Sequence, residues 1–258
     1  PGVMMVIVGF LYWKLTQDCP QGNFSELRAQ GVSVGSDKKG GMAILMHAAK
    51  NYRVWILFGA YAACFGIEIF IHNIVAMYYV ENFDFGLKEA GMAAGIFGLL
   101  ALFARALGGI VSDRVALSKG LDGRTKVLFL MILLEGVFLV VFSQMNSAML
   151  AILTMTVFAL FTHMACGATY ALVPFIDRDA LGGVAGIIGA GGNVGAVAAG
   201  FLLKGMLDIQ TTLMVLGGLV VIAASCVLMI RFSVEHKEKE QRLFEQAIQD
   251  RNLAEAQN

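Results

Sequence analysis

Six long apolar stretches constrain the fold of this sequence more than any other feature. They lie near residues 54–80, 89–111, 126–144, 147–173, 180–203 and 211–232. Each is long enough to cross a hydrocarbon layer of roughly 30 Å as a helix. The stretches are continuously apolar rather than alternating, which argues against transmembrane strands, and helices satisfy their own backbone groups in lipid. The sequence therefore predicts an all-α protein embedded in a lipid bilayer.

Composition and motifs narrow the class of function. Of the 258 residues, 58% are apolar and only 15% are charged, whereas soluble domains are about one-quarter charged. The formal net charge is zero, so nothing in the charge points to a nucleic-acid partner. No metal-ligand spacing, nucleotide loop or nucleophile motif is present, so neither a cofactor nor an enzymatic activity is expected. GAGGNVG resembles a dinucleotide loop only superficially, because no β-α-β context surrounds it.

The sequence outside the apolar stretches predicts the domain organisation. Residues 1–12 are apolar but about half as long as a full span, and we interpret them as the end of a truncated transmembrane helix. Residues 13–53 form a polar connector that can hold short helices, and 54–232 form a six-helix bundle. Residues 233–258 are a charged tail, either an exposed helix or a disordered end.

Basic residues are concentrated in alternate loops, which predicts the orientation. The positive-inside rule places the connector and the C-terminal tail in the cytoplasm. The residues on that side are Lys14, Arg28, Lys38, Lys39, Lys50, Arg53, Arg114, Lys119, Arg124, Lys126, Arg178, Arg231, Lys237, Lys239, Arg242 and Arg251, against Lys88 and Lys204 in the opposite loops.

Arg105 is the residue within a span that most suggests a function. A charge at the bilayer centre costs at least about 2.5–3.5 kcal/mol. Its side chain could snorkel to the interface, but Asp113 at the end of the span is eight residues away, or about 12 Å of helix. We therefore favour an arginine that faces a cavity. A guanidinium suits a small planar oxyanion, which accepts two parallel hydrogen bonds.

Four residues of the first span form two pairs at one-turn spacing. Tyr61 and Phe65 share a helix face, and either pack against neighbouring helices or wall a site for an anion. Glu68 and His72 either form a hydrogen-bonded pair, face an extracellular vestibule, or form a functional site in which Glu68 takes up a proton, because ionisable groups in lipid are functional candidates. Glu135 is a further carboxylate within a span whose assignment is equally open.

The segment GIIGAGGNVGAVAAG, residues 186–200, combines many glycines with one amide. Gly191 and Gly195 form a G-x-x-x-G pair that lets another helix approach closely. Glycine beside a ligand also leaves room for it. Asn193 could then donate a hydrogen bond to an anion without adding charge.

Two segments resemble the nitrate/nitrite porter family of the major facilitator superfamily. GAGGNVGAV is similar to that family's second signature, and ALFARALGGIVSDR is similar to its eighth helix and the superfamily's loop motif. The loop motif is present as Gly109-x-x-x-Asp113-Arg114, with Gly123-Arg124 after an insertion. NYRVWILF and ACGATYALVPFI resemble eukaryotic high-affinity nitrate transporters, and the resemblance covers residues 50–232.

The resemblance implies a fold and a location. The chain would be the C-terminal six-helix half of a major facilitator fold, preceded by the end of helix six and a cytoplasmic connector. The missing N-terminal half would complete the protein, which is expected in the plasma membrane. Gly109, Asp113 and Arg114 would belong to a gating loop.

The resemblance also implies a substrate site between the two halves, near the midplane. Nitrate or nitrite would be gripped by Arg105 between Tyr61 and Phe65, against a glycine-rich helix with Gly191, Gly192 and Asn193. Symport with protons is implied, and burial makes Glu68 and His72 the candidates for the proton. The alternatives are a porter for another small anion, or a membrane receptor or scaffold that would not need Arg105.

Overall fold

The structure is a computed structural model that describes residues 2–19, 22–31, 40–205 and 208–256. These residues belong to two compact units, Pro1–Gly40 and Gly41–Asn258. In the first unit, helix α1 spans Gly2–Leu15 and has no buried residue. Helix α2 spans Phe24–Ala29, and its first N–H donates to the Asp18 carboxylate at 2.9 Å. The glycine- and lysine-rich part of the predicted connector, 32–39, lies outside the described residues.

The second unit begins with helix α3, Gly41–Ala49, and a composite span. Helix α4, Tyr52–Tyr61, starts after Asn51, whose side-chain oxygen accepts the Arg53 N–H at 3.1 Å. A π-helical turn, Ala62–Gly66, leads without a break into helix α5, Ile67–Phe83. These elements form one apolar span of 32 residues.

Helix α6, Leu87–Ser143, is 57 residues long and kinks at Gly120. Gly120 has φ 57° and ψ −147°, a conformation that glycine reaches without a steric penalty. The sequence predicted a basic loop between the spans 89–111 and 126–144, and this expectation was wrong. The charged stretch is helical on both sides of Gly120, because it contains good helix formers and no proline.

Four further helices complete the unit. Helix α7 spans Ala148–Leu172 and ends in a 3-10 turn, Val173–Phe175. Helices α8, α9 and α10 span Leu181–Gly205, Ile209–Val227 and Val234–Ala256. Five helical segments of the described chain are long and apolar enough to cross a membrane. Because Gly120 divides the longest, the predicted all-α fold with six spans is confirmed, and among the described residues there is no strand.

Glycines let the helices of the bundle approach closely. A methyl group at Gly136 of α6 would lie 2.9 Å from the Gly217 carbonyl oxygen of α9, and the reverse contact is equally short. On the other half of α6, Gly108 packs against the Met164 backbone of α7. Gly167 of α7 in turn packs against the Arg105 carbonyl. These contacts hold α7 directly against the turn of α6 that carries Arg105.

Candidate functional site

Arg105 binds a carboxylate of the neighbouring span. Its Nη2 donates to Glu68 Oε1 and Oε2 at 2.6 and 2.7 Å. The Glu68 side chain is 6% exposed, whereas that of Arg105 is 38% exposed. Charge pairing offsets much of the cost of placing either ion within a span. The guanidinium therefore has one end fixed by Glu68 and part of its surface open.

The free part of the guanidinium retains donor capacity. Arg105 Nε is buried and has no hydrogen-bond partner among the described residues. The guanidinium carbon lies 5.3 Å from the centre of the Phe65 ring, which is within the range of a cation–π contact. A small planar anion can accept hydrogen bonds at this fork while the ring face covers one side of it.

Glu68 has three further polar neighbours. His163 Nδ1 lies 3.3 Å and Cys166 Sγ lies 3.6 Å from its Oε2. His72 Nε2 is 3.9 Å from Oε1, and the His72 side chain is 43% exposed. The Glu68–His72 pair considered from the sequence is thus the longest of these contacts. The His72 imidazole packs edge-on against the Phe97 ring, with 4.9 Å between the ring centres.

Tyr61 and Phe65 form the aromatic part of the site. Their rings stack at 5.0 Å between centres, and the edge of Tyr170 on α7 meets Tyr61 at 5.2 Å. The π-helical turn carries Phe65 and begins immediately after Tyr61. Such turns are frequent at functional sites. The rings lie together and Phe65 reaches the guanidinium, while their contact with a substrate stays a prediction.

The glycine-rich helix packs directly onto this turn. Gly191 and Gly195 of α8 abut the carbonyls of Phe58 and Ala62, and Gly192 abuts the Phe65 ring. A side chain at any of the three would collide with atoms already there. The glycines therefore set the position of the aromatic turn, and their direct contact with a substrate stays a prediction.

Asn193 lies beside these glycines but differs from them in exposure. Asn193 is exposed, and among the described residues its amide makes no hydrogen bond. The amide is available to a ligand or to another part of the protein, and its predicted substrate contact is untested.

The predicted gating residues lie near the kink of α6. Asp113 accepts from Arg124 Nη1 at 2.5 Å, so the inserted residues are bridged by an ion pair. Arg114 and Asp113 line a cavity of about 790 Å³ with Phe175 and with α10 residues such as Lys237. Gly109 lies on α6 one turn before Asp113. A gating role for these residues stays a prediction.

Helix α10 is anchored beside this cavity. Lys237 Nζ donates to Asp122 at 2.6 Å, and His236 Nε2 lies 3.0 Å from the Phe175 carbonyl oxygen. Arg178 binds Glu240 through two hydrogen bonds. This charge-assisted pairing raises the pKa of the Arg178 guanidinium further above its ordinary value. The tail is thus a helix in contact with the bundle.

Sequence reasoning missed the contribution of α7. His163, Cys166 and Tyr170 share one face of this helix and reach Glu68 and Tyr61. None of these three residues was singled out from the sequence. Their helical spacing of three and four residues was the available signal.

Glu135 lies on the second half of α6 and interacts electrostatically with Glu68. It is fully buried, and neither carboxyl oxygen has a hydrogen-bond partner in the described part of the chain. Cys64 and Thr162 are among its neighbours. An ionised carboxylate without a partner is very costly in such a place, so Glu135 is best accommodated as a neutral acid.

The comparisons with known proteins agree with this architecture. A family model described as Major Facilitator Superfamily matches residues 56–255. The class is therefore that of the membrane-spanning facilitator proteins, and the chain belongs to the Major Facilitator Superfamily. The protein is an integral, multi-pass membrane protein.

Several similar proteins are transporters of nitrate or nitrite. The chain is 37% identical to the high affinity nitrate transporter 2.5 of Arabidopsis thaliana over 87% of its length and 44% of the relative. It is 37% identical to nitrate transporter 2.1 of Chlamydomonas reinhardtii over 76% and 36%. For the nitrate/nitrite transporter NrtP of Nostoc punctiforme, the identity is 30% over 56% and 28%. The predicted resemblance to the nitrate/nitrite porters is confirmed.

The chain spans less than half the length of these relatives. No solved structure matches it.

Proposed function

We propose that the protein transports nitrate, and also nitrite, across the membrane, with Arg105 as the group that binds the anion. The observation that carries this proposal is a guanidinium within a span, held at one end by Glu68, covered on one face by Phe65 and still partly exposed. Such a fork recognises flat oxyanions. The nitrate and nitrite transporters among its relatives support the same substrates.

The site lies in a six-helix bundle that forms one half of the transport pathway. A second half, the N-terminal one, completes the cleft around Arg105, and rocking of the two halves exposes the site to each side in turn. Tyr61, Phe65 and Asn193 contribute the remaining walls of the cleft. Gly191 and Gly192 act by placing Phe65.

Charge balance at Arg105 supports symport with a proton. In the empty site the charges of Arg105 and Glu68 cancel. An anion bound to the free donors of Arg105 neutralises the guanidinium and leaves the Glu68 carboxylate poorly compensated in an apolar span, which is unfavourable. A proton on Glu68 removes this cost, and the site loaded with anion and proton is again neutral. Glu68 is the preferred proton site, and the more exposed His72 is the second candidate.

The protein is proposed to reside in the plasma membrane, with residues 13–53 and the C-terminal tail in the cytoplasm. The basic residues of the alternate loops support this orientation.

Substitution of the arginine tests the proposal. In the full-length protein, Arg105→Lys keeps the charge but lacks the planar fork, and nitrate uptake at low concentration should fall at least about tenfold, as expected for the loss of one charge-assisted hydrogen bond. Lys88→Arg, a charge-conserving change at an exposed residue of the same helix, is the matched control and should transport normally. Unchanged nitrate affinity in Arg105→Lys would refute the proposal and favour a receptor or scaffold. Uptake that another anion blocks better than nitrate would indicate a different substrate.

A further inference from the structure

We propose that Glu68 and His163 together bind the transported proton, so that His163 is a second member of the proton site. This inference rests on the proposed nitrate–proton symport and states where its proton resides. It is carried by the orientation of a buried imidazole between two helices.

The position of one hydrogen on His163 follows from its backbone contact. Nε2 lies 2.9 Å from the carbonyl oxygen of Phe97 on α6. A carbonyl oxygen only accepts hydrogen bonds, so Nε2 must carry a hydrogen. In the neutral imidazole the other nitrogen, Nδ1, then has a lone pair and no hydrogen.

That lone pair faces a carboxylate. Nδ1 lies 3.3 Å from Glu68 Oε2, and among the described residues it has no hydrogen-bond partner. Two acceptors that face each other in a buried place are unfavourable. One added proton turns the same contact into a charge-assisted hydrogen bond, whichever of the two groups carries it. The pair is therefore built to bind a single proton.

The surroundings isolate this proton from water and from other acceptors. The His163 side chain is fully buried, and the Phe97 ring packs on it at 5.0 Å. The charged or titratable groups around the pair are His72 on α5, Arg105 and Glu135 on α6, and Cys166 on α7. Only Arg105 carries a permanent charge, and His72 is the exposed group from which a proton can reach Glu68.

The charges explain why anion and proton travel together. With the proton bound, Arg105, Glu68 and His163 sum to one positive charge, which attracts an anion. With both bound the sum is zero, and with neither bound it is again zero. A site that holds only the proton or only the anion therefore carries a net charge. Moving a net charge through the membrane is energetically costly. Substitution of His163 should therefore separate anion exchange from proton movement.

The experiment uses the full-length protein in liposomes. His163→Gln can still donate to the Phe97 carbonyl but does not titrate. We expect it to retain exchange of labelled nitrate across the membrane, whereas nitrate-driven proton entry, followed with an internal pH dye, falls at least about tenfold. His236→Gln is the matched control, because His236 Nε2 also contacts a backbone carbonyl, and its proton entry should be unchanged.

Other outcomes decide against the inference. Proton entry at the wild-type rate in His163→Gln overturns it. Loss of nitrate exchange in folded His163→Gln and His163→Asn alike also overturns it, because His163 would then belong to the anion site.

A measurement on the unmodified protein does not depend on folding of a variant. When nitrate is added to detergent-solubilised protein in weak buffer, the protein should take up about one proton for each anion that it binds, because the two binding equilibria are linked. Nitrate binding without proton uptake contradicts the inference, while absence of nitrate binding contradicts the proposed function itself.

Discussion

Arg105 on α6 donates from a single nitrogen to both carboxylate oxygens of Glu68 on α5, at 2.6 and 2.7 Å. The two residues are 37 positions apart in the chain. In this arrangement the carboxylate occupies one nitrogen of the guanidinium that an anion would use, and in the described part of the chain the other donors stay free. Glu68 therefore competes with the anion for the guanidinium of Arg105.

The competition predicts the behaviour of Glu68→Gln. A neutral amide holds Arg105 less strongly, so nitrate should bind at least as tightly as in the wild type at neutral pH. Accumulation driven by a proton gradient should be lost, because the group that balances the anion no longer titrates. Binding titrations and uptake with an imposed pH gradient measure the two effects.

The Glu68→Gln variant can be checked against a control on the same helix and against a result that would contradict the prediction. Glu81→Gln changes an exposed glutamate on the same helix and should alter neither quantity. Proton-driven uptake that persists in both Glu68→Gln and His72→Ala would remove both candidates for the proton site.

The glycine contacts predict that Gly192→Ala impairs the site through Phe65. An added methyl would overlap the Phe65 ring, and overpacking of this kind costs about 1–3 kcal/mol. We expect a lower thermal midpoint and weaker nitrate uptake. Gly186→Ala on the same helix is the control, because nothing lies within 4 Å of the added methyl.

A second substitution tests whether Phe65 transmits this effect. Phe65→Leu should recover part of the stability lost in Gly192→Ala, since residues in contact are not additive. Strict additivity of the two changes would show that the clash is relieved elsewhere.

Replacing Glu135 with an apolar residue should increase the thermal stability of the protein. Replacing a buried group that lacks hydrogen bonds with methionine removes a penalty of about 1–3 kcal/mol. Glu135→Met should therefore raise the thermal midpoint in detergent. Leu139→Met, one turn away and also fully buried, should change it little. A lower midpoint in Glu135→Met would mean that the carboxyl makes a stabilising contact in the membrane.

The Asp113–Arg124 pair predicts rescue by charge exchange. Arg124→Asp places two acidic groups together beside the kink and should slow transport. The double variant Asp113→Arg with Arg124→Asp restores the attraction and should recover most of the rate. Stability should change by only about 1 kcal/mol or less, because Asp113 is 64% exposed. A double variant as slow as the single one would exclude this pair from gating.

The sequence predicted those features that depend on local composition. The six spans follow from apolar length, and Tyr61 and Phe65 share a face because of helical spacing. The charged stretch around Gly120 was wrongly predicted as a loop, because charge marks departure from lipid and does not end a helix.

The pairings between helices could not be obtained in the same way. Arg105 and Glu68 were each identified alone, but their contact depends on how α5 packs against α6. His163 resembled an ordinary histidine in an apolar run, and only the approach of α7 through Gly167 brings it to Glu68. The glycines of α8 were expected to allow close helix approach and to leave room for a ligand; they do abut the aromatic turn, but which residues they would meet could not be read from the sequence.

The anchorage of α10 has a mechanical consequence. One ion pair of α10 binds Asp122, which follows the kink of α6, and another binds Arg178, which lies between α7 and α8. Helix α10 is therefore a strap that holds one end of three membrane crossings together: the second half of α6, α7 and α8. Removing the strap after Phe232 would free all of these ends simultaneously, and raising ionic strength would loosen them in a graded manner.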